Sequence, residues 1–241
     1  MNIAARRHGL FFEAVRCSFP VLLGYLAIGS AFGFLMADAG YPWWLALVMS
    51  LTMFAGAGQY IAVGLFAAGT TLWEAVLVQL VVNARHIAYG LSMMNRLRNT
   101  GPLKFYIIFG LTDETFALLS SLPENDTTQE HVLERARFMF LVTLLDHSYW
   151  IAGGVIGAVA GSLLPFSTEG IAFALTALFI VLMIEQMRRV KKPGIFIVSA
   201  VAAILGVQFL PARFSLLAAM ALALAVGSLL PSAKLPKAGV K

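Results

Sequence analysis

WWLALVMSLTMFAGAGQYIAVGLFAAG (residues 43–69) runs for 27 residues without a charged side chain. As one helix it would be about 40 Å long, more than the roughly 30 Å of a bilayer's hydrocarbon core. Gly56 and Gly58 stand at its middle, inside FAGAGQY (residues 54–60), and invite a break. Non-helical backbone at membrane depth survives only where protein or a wet cavity satisfies its amides and carbonyls. Transporters use such broken helices to aim half-helix dipoles at substrates and coupling ions. The plainer reading is that these small residues only let helices approach closely.

The surrounding chain fixes the class. Hydrophobic stretches recur at residues 19–37, 43–69, 73–94, 103–122, 138–164, 171–187, 195–210 and 214–230. Most have the roughly 17–25 residues that one helical crossing needs. With 60% hydrophobic and only 12% charged residues, the composition lies far from the roughly 25% charge of a water-soluble domain. The expectation is an all-α, polytopic membrane helix bundle. It has about eight hydrophobic segments and six to eight crossings, forming one transport domain over residues 19–231. Residues 1–18 read as a cytoplasmic interfacial lead-in, because Glu13 and Arg16 interrupt any signal-peptide core. The polar stretch 122–137 reads as a linker between halves with a weak internal likeness (YLAIGSAFGFL against WIAGGVIGAVAG), and residues 232–241 read as a cytoplasmic tail. Within that linker, the spacing from Asp126 and Thr127 to Glu130 resembles a helix start.

The net charge of +5 comes from short basic clusters between hydrophobic runs. That is how membrane topology is written, and it argues against nucleic-acid binding. The positive-inside rule puts Arg6/Arg7/Arg16, Arg96/Arg98/Lys104, Arg188/Arg189/Lys191/Lys192 and Lys234/Lys237/Lys241 in the cytoplasm. Strict alternation of eight spans cannot satisfy all four clusters. The conflict resolves if residues 43–69 and 103–122 both enter and leave on one side, with broken or re-entrant helices around Gly56–Gly58 and Asp113–Glu114. A single cysteine, Cys17, allows no internal disulfide, and no Cys/His cluster indicates a metal. No phosphate loop or dinucleotide turn occurs, so no cofactor is indicated.

Polar groups at membrane depth supply the candidate site. On a helix over residues 73–94, Arg85 lies about 18 Å from one end and about 13 Å from the other. A mid-bilayer arginine costs at least about 2.5–3.5 kcal/mol, so an anion or a wet cavity must compensate it. Gln79, Asn83, His86 and Gly90 share one stripe of that helix, and Arg85, Tyr89, Ser92 and Arg96 share a second. Counter-charges stand in LTDET (Asp113, Glu114) and LLDHSYW (Asp146), and either could neutralise Arg85. Asp146, Trp150, Gly153 and Gly157 fall on one face, with a small-residue seam through Gly161, so Asp146 points into a helix interface.

An amino acid zwitterion needs donors for its carboxylate, an acceptor for its ammonium and an apolar pocket for an aliphatic side chain. Amides around Gly56, Gly58 and Gln59, with Arg85 and flanked by Asn83 and His86, are candidates for the carboxylate. Asp113, Glu114 or Asp146 is the candidate for the ammonium and for ion or proton coupling.

With PVLLGYLAIGSAFGFLMADAG, SLTMFAGAGQY, NARHIAYGLS, FGLTDETFAL, YWIAGGVIGAVAG and FALTALFIVLMIEQ in view, the chain resembles the AzlC-type large subunit of branched-chain amino acid exporters over nearly its whole length. The resemblance implies an ion- or proton-driven carrier of the bacterial inner membrane and a small AzlD-type membrane subunit as partner. Gly58 and Tyr60 stand where that family's motif is expected to read alanine and phenylalanine, and Ala172 stands where many members carry an aspartate. The competing readings are a passive channel for small solutes or ions and, more remotely, an intramembrane enzyme built on His86 and a carboxyl. No paired nucleophile and base at recognisable spacing supports the enzyme.

Overall fold

The structure, a computed structural model, describes residues 3–122, 129–163, 180, 183, 184, 187 and 193–209. Most of the sixth expected segment, the eighth segment, Ala172 and the tail lie outside the described residues. Among the described residues every regular element is a helix. The chain divides into two compact units, Met1–Leu175 and Thr176–Lys241. In the first unit the helices are α1 (Ile3–Asp38), α2 (Trp43–Thr52), α3 (Gly56–Ala67), α4 (Leu72–Met93), α5 (Leu103–Phe109), α6 (Asp113–Ser121) and α7 (Gln129–Leu163). In the second, α8 (Pro193–Phe209) carries an apolar sequence with Ile197, Val201 and Ile204 exposed.

Among the described residues, two helices are both long and apolar enough to cross a membrane, Gly9–Asp38 and Gln129–Leu163. They are α1 and α7, and they form the spine of the first unit. Glycines let their backbones meet. A Cβ on Gly153 would lie 2.8 Å from the Tyr25 carbonyl oxygen, and one on Gly29 would lie 3.0 Å from that of Trp150. Gly33 and Gly157 leave even less room, each against opposing backbone, and Gly161 sits against Ala37 and Phe34. Where no hydrophobic drive exists between helices in lipid, this close packing is what holds them. The two runs that resemble each other in sequence, YLAIGSAFGFL and WIAGGVIGAVAG, are thus the faces in contact.

Both long helices extend further than their apolar stretches. α1 already begins at Ile3, so the lead-in is continuous with the first long helix, and α7 begins by Gln129, so residues 129–137 of the expected linker are helical. The reason is local. Glu13, Arg16, Glu130, Glu134, Arg135 and Arg137 are good helix formers, and each extension has a buried face. Ala14 joins Met93, Leu97, Ile107, Leu111, Leu119, Met139 and Val142 in one cluster, all 2% exposed or less, and Ala136 is fully buried. Arg135 Nη2 donates to the Arg96 carbonyl at 2.8 Å.

The stretch 43–69 is broken, as expected, but three residues early. α2 ends at Thr52, Met53 (φ −133°, ψ 85°) and Ala55 (φ −146°, ψ 88°) leave the helical region, and Gly56 opens α3. Neither glycine takes a positive φ. They are small because neighbours crowd them: a Cβ on Gly56 would meet the Trp150 ring at 2.9 Å, and one on Gly58 would lie within 2.9 Å of Met53, Gln79 and Asn83. The break and the close-packing reading both hold. The second break separates α5 from α6 at Gly110–Thr112, where Gly110 closes on the Thr143 methyl of α7 and Leu111 is wholly buried. At 10, 12, 7 and 9 residues, none of these four half-helices reaches across a hydrocarbon core of about 30 Å alone.

α4 lies between the two breaks. Its start is fixed by a capping box, in which Thr71 Oγ1 accepts from the Glu74 amide and Glu74 Oε2 accepts from the Thr71 amide at 3.1 Å. Its outer face, with Leu77 and Leu80 exposed, is suited to lipid.

Candidate functional site at the two helix breaks

The two polar stripes of α4 face the two breaks. On the first, Gln79 Nε2 donates to the Gly58 carbonyl at 2.8 Å, and Asn83 Nδ2 donates to Gln79 Oε1 at 2.9 Å. On the second, Arg85 Nη1 donates to Asp113 Oδ2 and the Tyr89 hydroxyl donates to Asp113 Oδ1, while Arg96, in the turn just past the end of α4, donates from Nη1 to the Leu119 carbonyl at 2.7 Å. α6 is therefore gripped at both ends. Asp113 at its first residue suits the positive end of the helix dipole, and Arg96 at its last turn suits the negative end. Ser92, assigned to the second stripe by spacing, is exposed.

Of the acids offered to Arg85, the structure selects Asp113. Their side chains keep 32% and 17% of their surface accessible, so the pair is only partly withdrawn from its surroundings. Glu114, on the next residue, turns away and accepts from the Tyr25 hydroxyl at 2.9 Å. Asp146 is not a partner of Arg85. It is fully buried on α7, and its Oδ2 accepts from Thr115 Oγ1 at 2.8 Å.

A cavity of about 1050 Å³ opens between the first break, α4 and α5. Met53, Phe54 and Ala55 form its inner wall together with Asn83 and His86, and Ile87, Leu91 and Ile108 line it further out. Arg98 and Lys104 stand towards its other end. Polar groups are few around this apolar space. Ala55, which lines it, precedes α3 and offers that helix no side-chain cap, and the first-turn residues Gly56 and Gly58 do not themselves line the cavity. The Oδ1 of Asn83 is buried without a partner among the described residues, and His86 adds a titratable ring. The α6 N-terminus differs, because Thr112 Oγ1 already accepts from the Thr115 amide at 3.2 Å.

The sequence-derived site residues thus fall into three groups. Asn83 and His86 line the cavity. Arg85, Asp113 and Glu114 form the adjoining charged layer and do not line it. Gly56, Gly58 and Gln59 form the first turn of α3. Gln59 itself is fully buried, where its Oε1 accepts from Trp150 Nε1 at 2.6 Å and its Nε2 donates to Ser50 Oγ at 3.4 Å. The break is further held by residues that the sequence reading gave no role. His147 Nε2 donates to the Ser50 carbonyl at 2.9 Å, its Nδ1 lies 2.9 Å from the Tyr106 hydroxyl, and its ring stacks on Phe54 with centroids 4.5 Å apart. Tyr60, one of the two departures from the resembled motif, donates to the Ile28 carbonyl at 2.6 Å. The other, Gly58, leaves room that an alanine Cβ would take from Gln79 and Asn83.

The family profile described as AzlC protein matches residues 20–164. That span contains α4 and both helix breaks. The chain belongs to the AzlC family. Among its relatives, the Bacillus subtilis protein named branched-chain amino acid transport protein AzlC is 38% identical over 80% of this chain and 74% of its own length. An uncharacterized membrane protein of Helicobacter pylori strain 26695 is 40% identical over 83% of this chain and 89% of its own. The Escherichia coli inner membrane protein YgaZ is 30% identical over 86% and 85%. No solved structure matches the chain. As an AzlC-family membrane protein, it carries its charged layer and its cavity within the matched span.

Proposed function

We propose that this AzlC-family protein is the large subunit of a two-component secondary carrier. It exports the branched-chain amino acids Leu, Ile and Val, with Met as a further substrate, across the bacterial inner membrane under ion or proton coupling. A small AzlD-type membrane subunit completes it. The N-terminus lies in the cytoplasm with the four basic clusters. The observation that carries this reading is an apolar cavity ending at an uncapped half-helix beside the Arg85–Asp113 pair. In it the substrate carboxylate meets the first-turn amides of α3, including those of Gly56 and Gly58. The ammonium is accepted by Asn83 Oδ1, and the aliphatic side chain lies along Ile87, Leu91 and Ile108. His86 borders the ammonium end. Asp113 with Arg85, and Glu114 with Asp146, form the ion- or proton-coupling layer, where protonation or a shift of α6 changes which face is open.

The test is counterflow of labelled leucine into proteoliposomes preloaded with unlabelled leucine, with and without the small subunit. Saturable counterflow that excess valine inhibits, and that requires both chains, is expected. Flux that follows the leucine gradient without saturation would identify a pore instead.

A further inference from the structure

Three helices are joined by a continuous run of hydrogen bonds that links the two carboxyls Glu114 and Asp146. It begins at Asp146 on α7, fully buried, whose Oδ2 lies 2.8 Å from Thr115 Oγ1. Thr115 Oγ1 lies 3.0 Å from Thr112 Oγ1 in the second break. Thr112 Oγ1 contacts the hydroxyl of Tyr25 on α1, which lies 2.9 Å from Glu114 Oε2. Tyr25, Thr112, Thr115 and Asp146 are each 7% exposed or less, whereas Glu114 keeps part of its surface open. One end is accessible and the other is sealed.

Counting hydrogens decides what this run holds. Four oxygen–oxygen contacts need four hydrogens, and the three hydroxyls bring three. The fourth must be a carboxyl proton on Glu114 or Asp146. Both orientations place one hydrogen in each of the four contacts. With the proton on Glu114, each group donates towards Asp146; with it on Asp146, each donates towards Glu114. In either case Thr112 Oγ1 still accepts from the Thr115 amide. Asp146 Oδ1 has no hydrogen-bond partner among the described residues. A bare carboxylate held by one hydrogen bond in a dry site is costly, and a carboxylic acid there is not, so the arrangement with the proton on Asp146 is preferred.

Resting on the carrier reading above, we propose that Tyr25, Thr112 and Thr115 form a proton relay through which Glu114 and Asp146 share a single proton. Transfer is balanced: Glu114 gives its proton to Tyr25, each hydroxyl passes its own hydrogen forward, and Asp146 receives one. The relay then reverses polarity without net change in the hydroxyls. Because Thr112 and Thr115 belong to the break and to α6 while Tyr25 and Asp146 belong to α1 and α7, any shift of α6 cuts the path. Other titratable groups are close by. Arg85 and Tyr89 of α4 engage Asp113. His147 and Tyr106 engage each other, and Cys17 of α1 lies within electrostatic reach of Asp146. None of them interrupts the run.

The test is infrared spectroscopy of the full chain with its small subunit in lipid discs, with heavy water as the probe. The wild type is expected to show a protonated-carboxyl carbonyl band that Asp146→Asn removes and that shifts on transfer to heavy water. Cutting the relay with Tyr25→Phe, or independently with Thr115→Val should the first variant fold poorly, should slow that shift several-fold, because the hydroxyl that hands the hydrogen on is gone. No band answering to Asp146→Asn, or exchange as fast in the cut variants as in the wild type, would overturn the relay. Leucine counterflow by the wild type in the same lipid reports separately on transport. Its absence would remove the carrier reading and leave the infrared result to stand on its own.

Discussion

Arg85 of α4 donates to Asp113, the first residue of α6, and so ties the helix between the two breaks to the half-helix that follows the second. Removing either partner strands the other. Arg85→Ala and Asp113→Asn are each expected to lower leucine export from loaded cells by on the order of tenfold or more, at unchanged membrane insertion. An Arg85→Asp/Asp113→Arg exchange should not restore export, because an arginine at the start of α6 opposes the helix dipole. Export rates normalised to the inserted protein check both statements.

Glycine spacing makes a sharp contrast between two positions on α1. Gly33 has opposing α7 backbone where its Cβ would be, whereas Gly24 has nothing within 4 Å. Gly33→Ala should cost about 1–3 kcal/mol, as overpacking does, and lower the unfolding temperature in detergent. Gly24→Ala should leave that temperature unchanged or raise it slightly, because alanine is the better helix former. Equal effects of the two would contradict the α1–α7 contact.

Trp150 Nε1 has its acceptor in Gln59 Oε1. Gln59→Leu leaves a buried indole donor unpaired at a cost of about 1–3 kcal/mol, and Gln59→Leu/Trp150→Phe, which removes both partners, should recover part of it. A thermal-unfolding double-mutant cycle reads the coupling directly.

Gly90 faces the cavity with Ile108 Cγ2 3.5 Å from where its Cβ would lie. Gly90→Leu adds bulk there. Leucine and isoleucine transport should fall more than valine transport, by a factor of several for each methylene lost from the space. The valine-to-leucine ratio in counterflow measures it.

Much of the site was readable because helical periodicity is a local rule. The 3.6-residue repeat separates Gln79/Asn83 from Arg85/Tyr89, and the two sets do face different half-helices. Adjacent acids on a helix cannot serve one partner, and Asp113 and Glu114 indeed part company. Asp146, Trp150 and the Gly153–Gly157 seam lie on one buried face as spacing requires. Tertiary partnership was not readable. Nothing near Tyr25 announces a bond to residues 87 and 89 positions away. His147 looks no different from a lone interior histidine until the Ser50 carbonyl is beside it. The break was displaced from the glycines because glycine signals both flexibility and crowding, and here crowding by Trp150, Gln79 and Asn83 explains both residues. The helix-start spacing from Asp126 and Thr127 to Glu130 agrees with α7 beginning by Gln129, and Glu13 lies within α1.

The central claim is that an amino acid occupies the cavity beside the first break. Ile108 lines that cavity without holding the substrate's charged groups, and Cys17 is the sole cysteine to be replaced. In a Cys17→Ser/Ile108→Cys protein reconstituted with the small subunit, leucine should slow alkylation of the new thiol saturably, and lysine should not. Alkylation that is indifferent to saturating leucine, in protein that still performs leucine counterflow, would place the substrate elsewhere and contradict the account.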